Sequence, residues 1–433
     1  MKQVEVFDGN QLYHMPVKYP TKQAKCAFIG TAPGPEGKDI YVPLDEELLG
    51  RHIMFLGGIG TGKTNAFFQI MKQLRKSITS NDVMIVFDTK GDFYKEFYRP
   101  GDVVISNDNT ATGPNGTDYW NIFNEIEYDE HMEENINEIA KTLFSSKIEK
   151  TNQPFFPAAA KDIFAAVLQH LCMSEDASEI NNEMLRNFLD RSPTGEIREM
   201  MDQYDSMRAM ISYIAEDDSA QTQGVMSELL QLVRDIFIGN FKKKGTLSIR
   251  KLVREKRGRF IFIEYDLGIG SLLSPIYSLL FDLAIKEALC REKSEGNVYF
   301  ITDEFSLLPD LKHVDDAVNF GRSLGVKFMI GIQNVDQIYK AYGEHRARSI
   351  LSGFLTSVAF RVNDEGSRNF IKSLHGKNRK KEVFMASVQG RGIVEQVRDA
   401  NVVEDWDIIR LGLGEAIIGL PGKPPFVFKF KKA

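Results

Sequence analysis

Gly57, Gly62, Lys63 and Thr64 stand in the order G-x-x-x-x-G-K-T within the stretch GGIGTGKT, a spacing that suits phosphate chemistry. Glycines let successive backbone N–H groups turn inward and cradle an oligophosphate. A helix expected over NAFFQIMKQL aims the positive end of its dipole at the same place. The Lys63 ammonium is suited to neutralise the β and γ phosphates, and the Thr64 hydroxyl to ligate Mg2+. The expected nucleotide contacts are Gly57, Gly58, Gly60, Thr61, Gly62, Lys63, Thr64 and Asn65, with ATP and Mg2+ as the bound species. A chance Gly-rich turn would lack the flanking apolar run, HIMFL, and the amphipathic segment that follows.

Hydrolysis also needs carboxylates. VYFITDEF puts Asp303 and Glu304 side by side after a buried-type strand. Asp303 can hold Mg2+ through water, and Glu304 can orient and polarise an attacking water. The plainer alternative is an acidic pair that caps the next helix. Asp88 after MIVF, and Glu264 with Asp266 after FIFI, compete for the role; two adjacent carboxylates at one strand end favour Asp303 and Glu304. Gln333 ends the run VKFMIGIQ, on the side where the ligand crevice of a parallel α/β sheet opens, and could sense the γ-phosphate. Arg322 precedes the same strand and faces away from its own site, so it could serve only a neighbouring copy's nucleotide. The plainer reading of Arg322 is a solvated helix terminus.

The elements that position these residues alternate: HIMFLG, KTNAFFQIMKQLRK, DVMIVFD. That is the pattern of an α/β domain with a parallel-rich sheet. Residues 1–47 read as a small β-rich segment, 48–126 as the first part of the nucleotide-binding domain, 127–245 as an all-α insert, and 246–433 as its second part. The clearest helical stripe is Val225, Met226, Leu229, Leu230, Val233, Ile236 and Phe237. Strands resume with RFIFIEYD, NVYFITDEF, VKFMIGIQN and FLTSVAFRV, and EAIIGLPGKPPFVFKFKKA reads as two short strands with a Pro/Gly turn. The insert accounts for the 240 positions between Lys63 and Asp303. That gap, and the lack of a base-reading N-K-x-D, argue against small GTPases.

Composition narrows the classes further. At 433 residues and 43% apolar, the chain can bury a sizeable core without metal or disulfide staples. Cys26, Cys172 and Cys290 stand far apart with no C-x-x-C, which suits a reducing compartment and argues against structural zinc. Seven histidines are scattered singly, and no serine-nucleophile elbow is expected. A net charge of −6 excludes a globally basic nucleic-acid coat but permits a local basic channel. The most apolar stretch, SLLSPIYSLLFDLAIKEAL, carries Ser274, Ser278, Asp282 and Lys286 every four residues. It reads as one wet stripe on an otherwise buried helix, not a lipid-facing span. With no apolar leader at the start, the expected location is cytoplasmic.

From about residue 48 these motifs, in this order, resemble the soluble part of type IV secretion coupling proteins, conjugative DNA-transfer ATPases of the FtsK–HerA superfamily. GGIGTGKT resembles its Walker A; VFDTKGDFYKEFYRPGDVVISN with YWNIFNEI, the segment after the second strand; QPFFPAAAKDIFAAVL and QTQGVMSELLQLV, its all-α domain; and ITDEFSLLPDLKHVDDAVNFGRSLGVKFMIGIQNVDQI, its Walker B through sensor region. ILSGFLTSVAFRVND resembles the strand that follows. The resemblance implies a RecA-like ATPase acting as a hexameric ring, with DNA, single- or double-stranded, threaded through its centre. It implies Lys63 and Thr64 on ATP and Mg2+, Asp303 and Glu304 as the Walker B pair, Arg322 as the arginine acting in trans and Gln333 as the sensor. Family members usually begin with transmembrane helices; none is expected in this chain, so membrane contact is expected only through a partner, and a relaxase or other secretion component is expected as a further partner. Channel cations are sought among Lys147, Lys150, Lys242–Lys244, Arg346, Arg348 and the run KNRKK, Lys377–Lys381. Two alternatives remain: a protein-secreting or protein-remodelling motor of the same fold, and an ATP-switched adaptor.

Overall fold

The computed structural model describes residues 3–18, 22–32, 37–108, 110–113, 118–174, 179–290, 295–385 and 393–433. Residues 33–36 of the Gly/Pro-punctuated stretch TAPGPEGKDIYVPL lie outside them. The fold is α/β, with a mixed, mostly parallel central sheet and a small strand-rich N-terminal segment. The chain divides into two compact units: Met1–Ile78 with Tyr299–Ser306 and Val318–Ala433, and Thr79–Val298 with Leu307–Ala317.

In the first unit the strand order is Phe426–Lys429, Glu415–Gly419, Thr356–Phe360, Ile53–Leu56, Val326–Ile332. The Ile53–Leu56 strand is parallel to both neighbours: Leu56 lies opposite Ile332 on one side and Ala359 on the other. Every residue of these three strands is buried, as expected for continuous apolar runs covered on both faces. The Lys63–Ser77 helix packs Ala66, Phe67, Ile70, Met71 and Leu74 into the core. Its other face is a row of amides. Gln69 accepts from Ile29 N (2.9 Å) and donates to Ile29 O (2.8 Å); Gln73 does the same with Ala27 (3.0 and 2.8 Å). One helical turn, about 5.4 Å, nearly matches a two-residue step along a strand, about 6.6 Å. Two glutamines four apart therefore bind alternate residues of the Ala24–Thr31 strand, which pairs antiparallel with Asp39–Asp45.

A separate antiparallel sheet joins Gln3–Asp8, Lys377–Met385 and Ile393–Asn401. It takes in the KNRKK run, whose cations meet carboxylates: Arg379 with Asp399 (3.4 Å), Lys380 with Glu404 (3.2 Å) and Lys381 with Glu395 (2.7 Å).

The second unit holds the parallel strands Val83–Asp88, Arg259–Glu264 and Val103–Ile105, and helices that include Met132–Lys150, Phe155–Ser174 and Ala220–Ile236. In the last of these Leu232 is buried and Leu230 only half-buried; the rest of the expected stripe lies inside. Where the chain enters and leaves the helical stretch, the buried Glu125 carboxylate accepts from Trp120 Nε1 (2.8 Å), Ser248 Oγ (3.0 Å), Ile249 N (2.6 Å) and Arg250 N (3.2 Å). Burial holds its pKa above the usual carboxylate range, against the pull of those donors.

The polar stripe on the Gly270–Ala288 helix corrects the expectation of a wet face. Ser278 and Asp282 are buried. Ser278 Oγ donates to Pro309 O (3.0 Å), and Asp282 accepts from His313 N (2.9 Å) and lies 2.9 Å from His313 Nδ1. Lys286 pairs with Glu138, which also lies 3.5 Å from His313 Nε2. A four-residue repeat specifies a stripe; it does not distinguish water from a polypeptide segment that satisfies it. Among the described residues no helix is long and apolar enough to cross a membrane.

Chiefly through the Asp282 hydrogen bond, His313 is held above the ordinary histidine pKa, with burial opposing. A raised folded-state pKa contributes stability that is full below the unfolded value, about 6.5, and is lost as pH rises through the folded one. The thermal midpoint of the wild type should therefore fall as pH is raised above the ordinary histidine range. His313→Gln should lose that slope; an unchanged slope in the variant would assign it elsewhere.

Candidate functional site

The Ile53–Leu56 strand runs straight into the glycine loop, and both of its neighbours follow it. Gly57 N donates to Ile332 O (3.0 Å) and Gly58 N to Arg361 O (3.0 Å). A Cβ on Gly57 would lie 2.6 Å from Phe360 Cβ and 2.9 Å from Thr61 Oγ1, so the position admits only hydrogen. Gly60 and Gly62 take left-handed φ of 71° and 117°, turning the loop into the Lys63–Ser77 helix. Thr61 Oγ1 closes the loop on Gly58 O (2.8 Å). Gly414, from the loop before the Glu415–Gly419 strand, braces it by donating to Thr61 O (3.0 Å). A Cβ on Gly62 would lie 3.1 Å from Gly414 Cα, so the loop and its brace touch backbone to backbone.

The Lys63 ammonium is folded back on its own loop, donating to Gly58 O (3.1 Å) and to Gly57 O. These carbonyls hold a charge that an oligophosphate can claim. Gly62 has no side chain to occupy the first-turn N–H groups, which suits an anion at the helix end. Thr64 is half-buried in that first turn, in place to share a divalent cation with a phosphate. Asn65 is engaged differently from expectation. Its side-chain amide donates to Lys431 O (2.9 Å) and accepts from Ala433 N (2.7 Å), so its backbone is what it can offer a nucleotide.

Asp303 and Glu304 follow the Val298–Thr302 strand. Gly331 makes room for this corner: a Cβ there would lie 2.3 Å from Asp303 O. Glu304 is held at both oxygens, Oε1 by Ser306 Oγ (2.8 Å) and Oε2 by Gln333 Nε2. Loop, acidic pair and Gln333 thus all lie at carboxyl ends of parallel strands in one unit. The rival carboxylates belong to the second unit; Asp88 and Asp266 each serve their own loop, while Glu264 bonds a distant one. Asp88 accepts from Tyr94 N (2.8 Å) and Lys90 N (3.3 Å), and Asp266 from Gly268 N (2.8 Å) and Ile269 N (3.3 Å); Glu264 takes the Thr110 hydroxyl. Burial raises the pKa of both Asp88 and Glu264.

Arg322 sits in the Gly321–Leu324 turn, at the amino end of the strand that Gln333 follows. A strand of that length spans about 20 Å, beyond the reach of the arginine toward its own glycine loop. Its side chain is 51% exposed, with Glu47 3.5 Å away.

Gly331, Gly414 and Ser306 escaped the motif reading. A lone glycine inside a strand pattern is the only signal for Gly331; nothing local marks Gly414. Against the expectation of no such pattern, Gly321-Arg322-Ser323-Leu324-Gly325 has G-x-S-x-G spacing. It leads from a turn into a strand, the reverse of a nucleophile elbow, and Ser323 Oγ donates to Phe320 O (3.3 Å).

Gly331→Ala should cost about 2 kcal/mol or more, because the new methyl meets a carbonyl rather than a flexible side chain. A thermal midpoint within a degree of wild type would show that this corner yields freely.

A family model described as the type IV secretion-system coupling protein DNA-binding domain matches residues 40–412. Coupling protein TraD of Escherichia coli (strain K12) is 22% identical over 376 residues, covering 83% of this chain and 48% of TraD. The type IV secretion system-coupling protein VirD4 of Bartonella quintana (strain Toulouse) is 22% identical over 229 residues, covering 50% and 36%. This chain thus spans about half the length of TraD and about a third of VirD4. Among solved structures, the unbound bacterial conjugative coupling protein TrwBdeltaN70 superposes with a TM-score of 0.75 at 19% identity, over 95% of this chain and 90% of that one. Plasmid coupling protein TrwB in complex with the ATP analogue ADPNP gives 0.72 at 19% identity, over the same shares.

Proposed function

The chain belongs to the type IV secretion-system coupling-protein family, and from that membership we propose that it is an ATPase that moves DNA in conjugative or mobile-element transfer. The observation that carries this reading is the convergence of the Lys63 loop, Asp303, Glu304 and Gln333 at the carboxyl ends of parallel strands. A nucleotide-binding switch needs the loop; it does not need a carboxylate held at both oxygens beside it.

ATP binds with its phosphates on the first-turn N–H groups and draws Lys63 from the Gly57 and Gly58 carbonyls. Thr64, and Asp303 through water, would hold Mg2+, which would supply charge neutralisation at the β and γ phosphates. Glu304 orients the attacking water and polarises it. Gln333 passes from Glu304 to the γ-phosphate. Arg322 cannot reach its own site, so it completes the site of a neighbouring copy; a contact between opposite ends of one sheet is head-to-tail, the type that forms a ring when its rotation closes. We propose a hexamer, with the helical stretch within residues 127–245 as an insert in a domain made of 48–126 and 246–433, and 1–47 as a small strand-rich segment. TrwB has been solved with ADPNP, and also with ADP and Mg2+, which supports the same ligands here.

DNA, single- or double-stranded, is the proposed cargo, with a relaxase or another secretion component as a further partner and membrane contact only through a partner. Several channel candidates carry local partners: Lys147 with Glu228 (2.7 Å), Lys244 with Glu179 (3.1 Å), Arg348 with Glu344 (2.7 Å), Lys243 over the Tyr119 ring (4.6 Å) and Arg346 over the Tyr342 ring (5.4 Å). Phosphates must compete with these partners, so stimulation by DNA should be steeply salt-sensitive.

ATP turnover, measured against protein concentration with and without each form of DNA at two salt concentrations, should be cooperative, DNA-stimulated and salt-suppressed. Turnover indifferent to DNA would transfer the reading to a protein motor, and ATP binding without turnover to a switched adaptor. Arg322→Ala should lower turnover about 10³-fold while ATP affinity stays unchanged. Lost binding, or undiminished turnover, would remove Arg322 from its role in trans.

A further inference from the structure

The turn after the acidic pair is built more firmly than its sequence suggests. Phe305 is fully buried and stacks face to face on Tyr342, with centroids 5.5 Å apart and planes 5° from parallel. Tyr342 ends the Val335–Tyr342 helix, which begins two residues after Gln333. The stack therefore locks together the two elements that reach Glu304: the Phe305–Leu307 turn carrying Ser306, and the strand-to-helix corner carrying Gln333. Each supplies one donor, and each donor takes a different carboxylate oxygen.

A glutamate at a strand end has three side-chain torsions, and the last is a broad, roughly two-fold rotor. Each hydrogen bond narrows that rotor: two, from separate elements, fix the carboxylate plane, and the one that persists still anchors an oxygen where none would leave the group to swing. The two donors are not equivalent. Gln333 lies at the crevice, where a γ-phosphate competes with Glu304 for its amide. Ser306 is two residues from Glu304, in a turn pinned by Phe305, and no such demand falls on it. We propose that Ser306 is a positioning residue for the hydrolytic step: its hydroxyl keeps the Glu304 carboxylate aimed at the water when Gln333 turns to the nucleotide. This rests on the reading of Glu304 as the water-orienting carboxylate.

The test is steady-state ATP turnover of the full chain at saturating stimulation, in four forms: wild type, Ser306→Ala, Ser306→Thr and Glu304→Gln. Glu304→Gln should abolish turnover while binding ATP. Ser306→Ala should lower kcat by about tenfold or more, toward the roughly hundredfold scale of a misplaced catalytic group, with KM for ATP within about twofold, because Ser306 does not touch the substrate. Ser306→Thr restores the hydroxyl at a half-buried position and should keep most of the wild-type kcat. Wild-type kcat in Ser306→Ala, a loss confined to KM, or a threonine variant as poor as the alanine would each overturn the proposal. Normal turnover in Glu304→Gln would instead overturn the reading of Glu304, a distinguishable failure.

Discussion

Everything at the candidate site depends on one backbone constraint: the chain must leave the Ile53–Leu56 strand with hydrogen bonds still running to both neighbours. Gly57 N reaches Ile332 O and Gly58 N reaches Arg361 O. The loop is therefore an extension of the sheet before it becomes a cradle. No side chain fits where Gly57 meets Phe360, and none fits where Gly331 meets Asp303 O. Two glycines thus allow close approaches on either side of the loop's strand, one against Phe360 and one against the acidic corner. Rigidity of this kind suits a phosphate site, whose donors must be in place before charge develops.

Around that constraint, polar side chains fasten segments that are distant in sequence. Gln69 and Gln73 bond backbone N–H and C=O groups of the Ala24–Thr31 strand. Asn65 secures the Lys431 carbonyl and the Ala433 amide. Glu125 gathers four donors at the two ends of the helical stretch, and Asp282 takes the backbone N–H and Nδ1 of His313. A satisfied buried hydrogen bond adds only about 1 kcal/mol, but an orphaned donor or acceptor costs more. Such contacts therefore specify one arrangement more than they deepen its stability. The helix that begins with Lys63 and Thr64 carries three of these amides, so motion at the loop would be felt by the N-terminal strands and the last strand together.

The sheet also divides the chemistry. Phosphate loop, acidic pair and Gln333 lie at carboxyl ends of strands, and Arg322 at an amino end. A single copy cannot bring the two together across a rigid strand. If the arginine acts on a nucleotide, it does so in another copy, and catalysis becomes a property of the assembly. Glu47, 3.5 Å from the guanidinium, occupies it meanwhile only as an exposed ion pair, a weak restraint.

Sequence alone determined the residue types and the local order: a G-x-x-x-x-G-K-T run between strand and helix, adjacent carboxylates after a buried strand, and continuous apolar runs alternating with helical stripes. These were legible because each depends on spacing within about fifteen residues. The tertiary structure decided what touches what across hundreds of residues. Ser278 and Asp282 read as a wet stripe, yet Pro309 and His313 cover them, because periodicity is blind to what lies on the polar side. KNRKK reads as a basic patch, yet carboxylates from the next strand and from Glu404 face it. Gly414 and Ser306 had no motif; their roles arise from contacts made only when the chain is folded. Local patterns follow from the geometry of a helix turn or a strand step; long-range contacts follow from packing, which no single window of sequence contains.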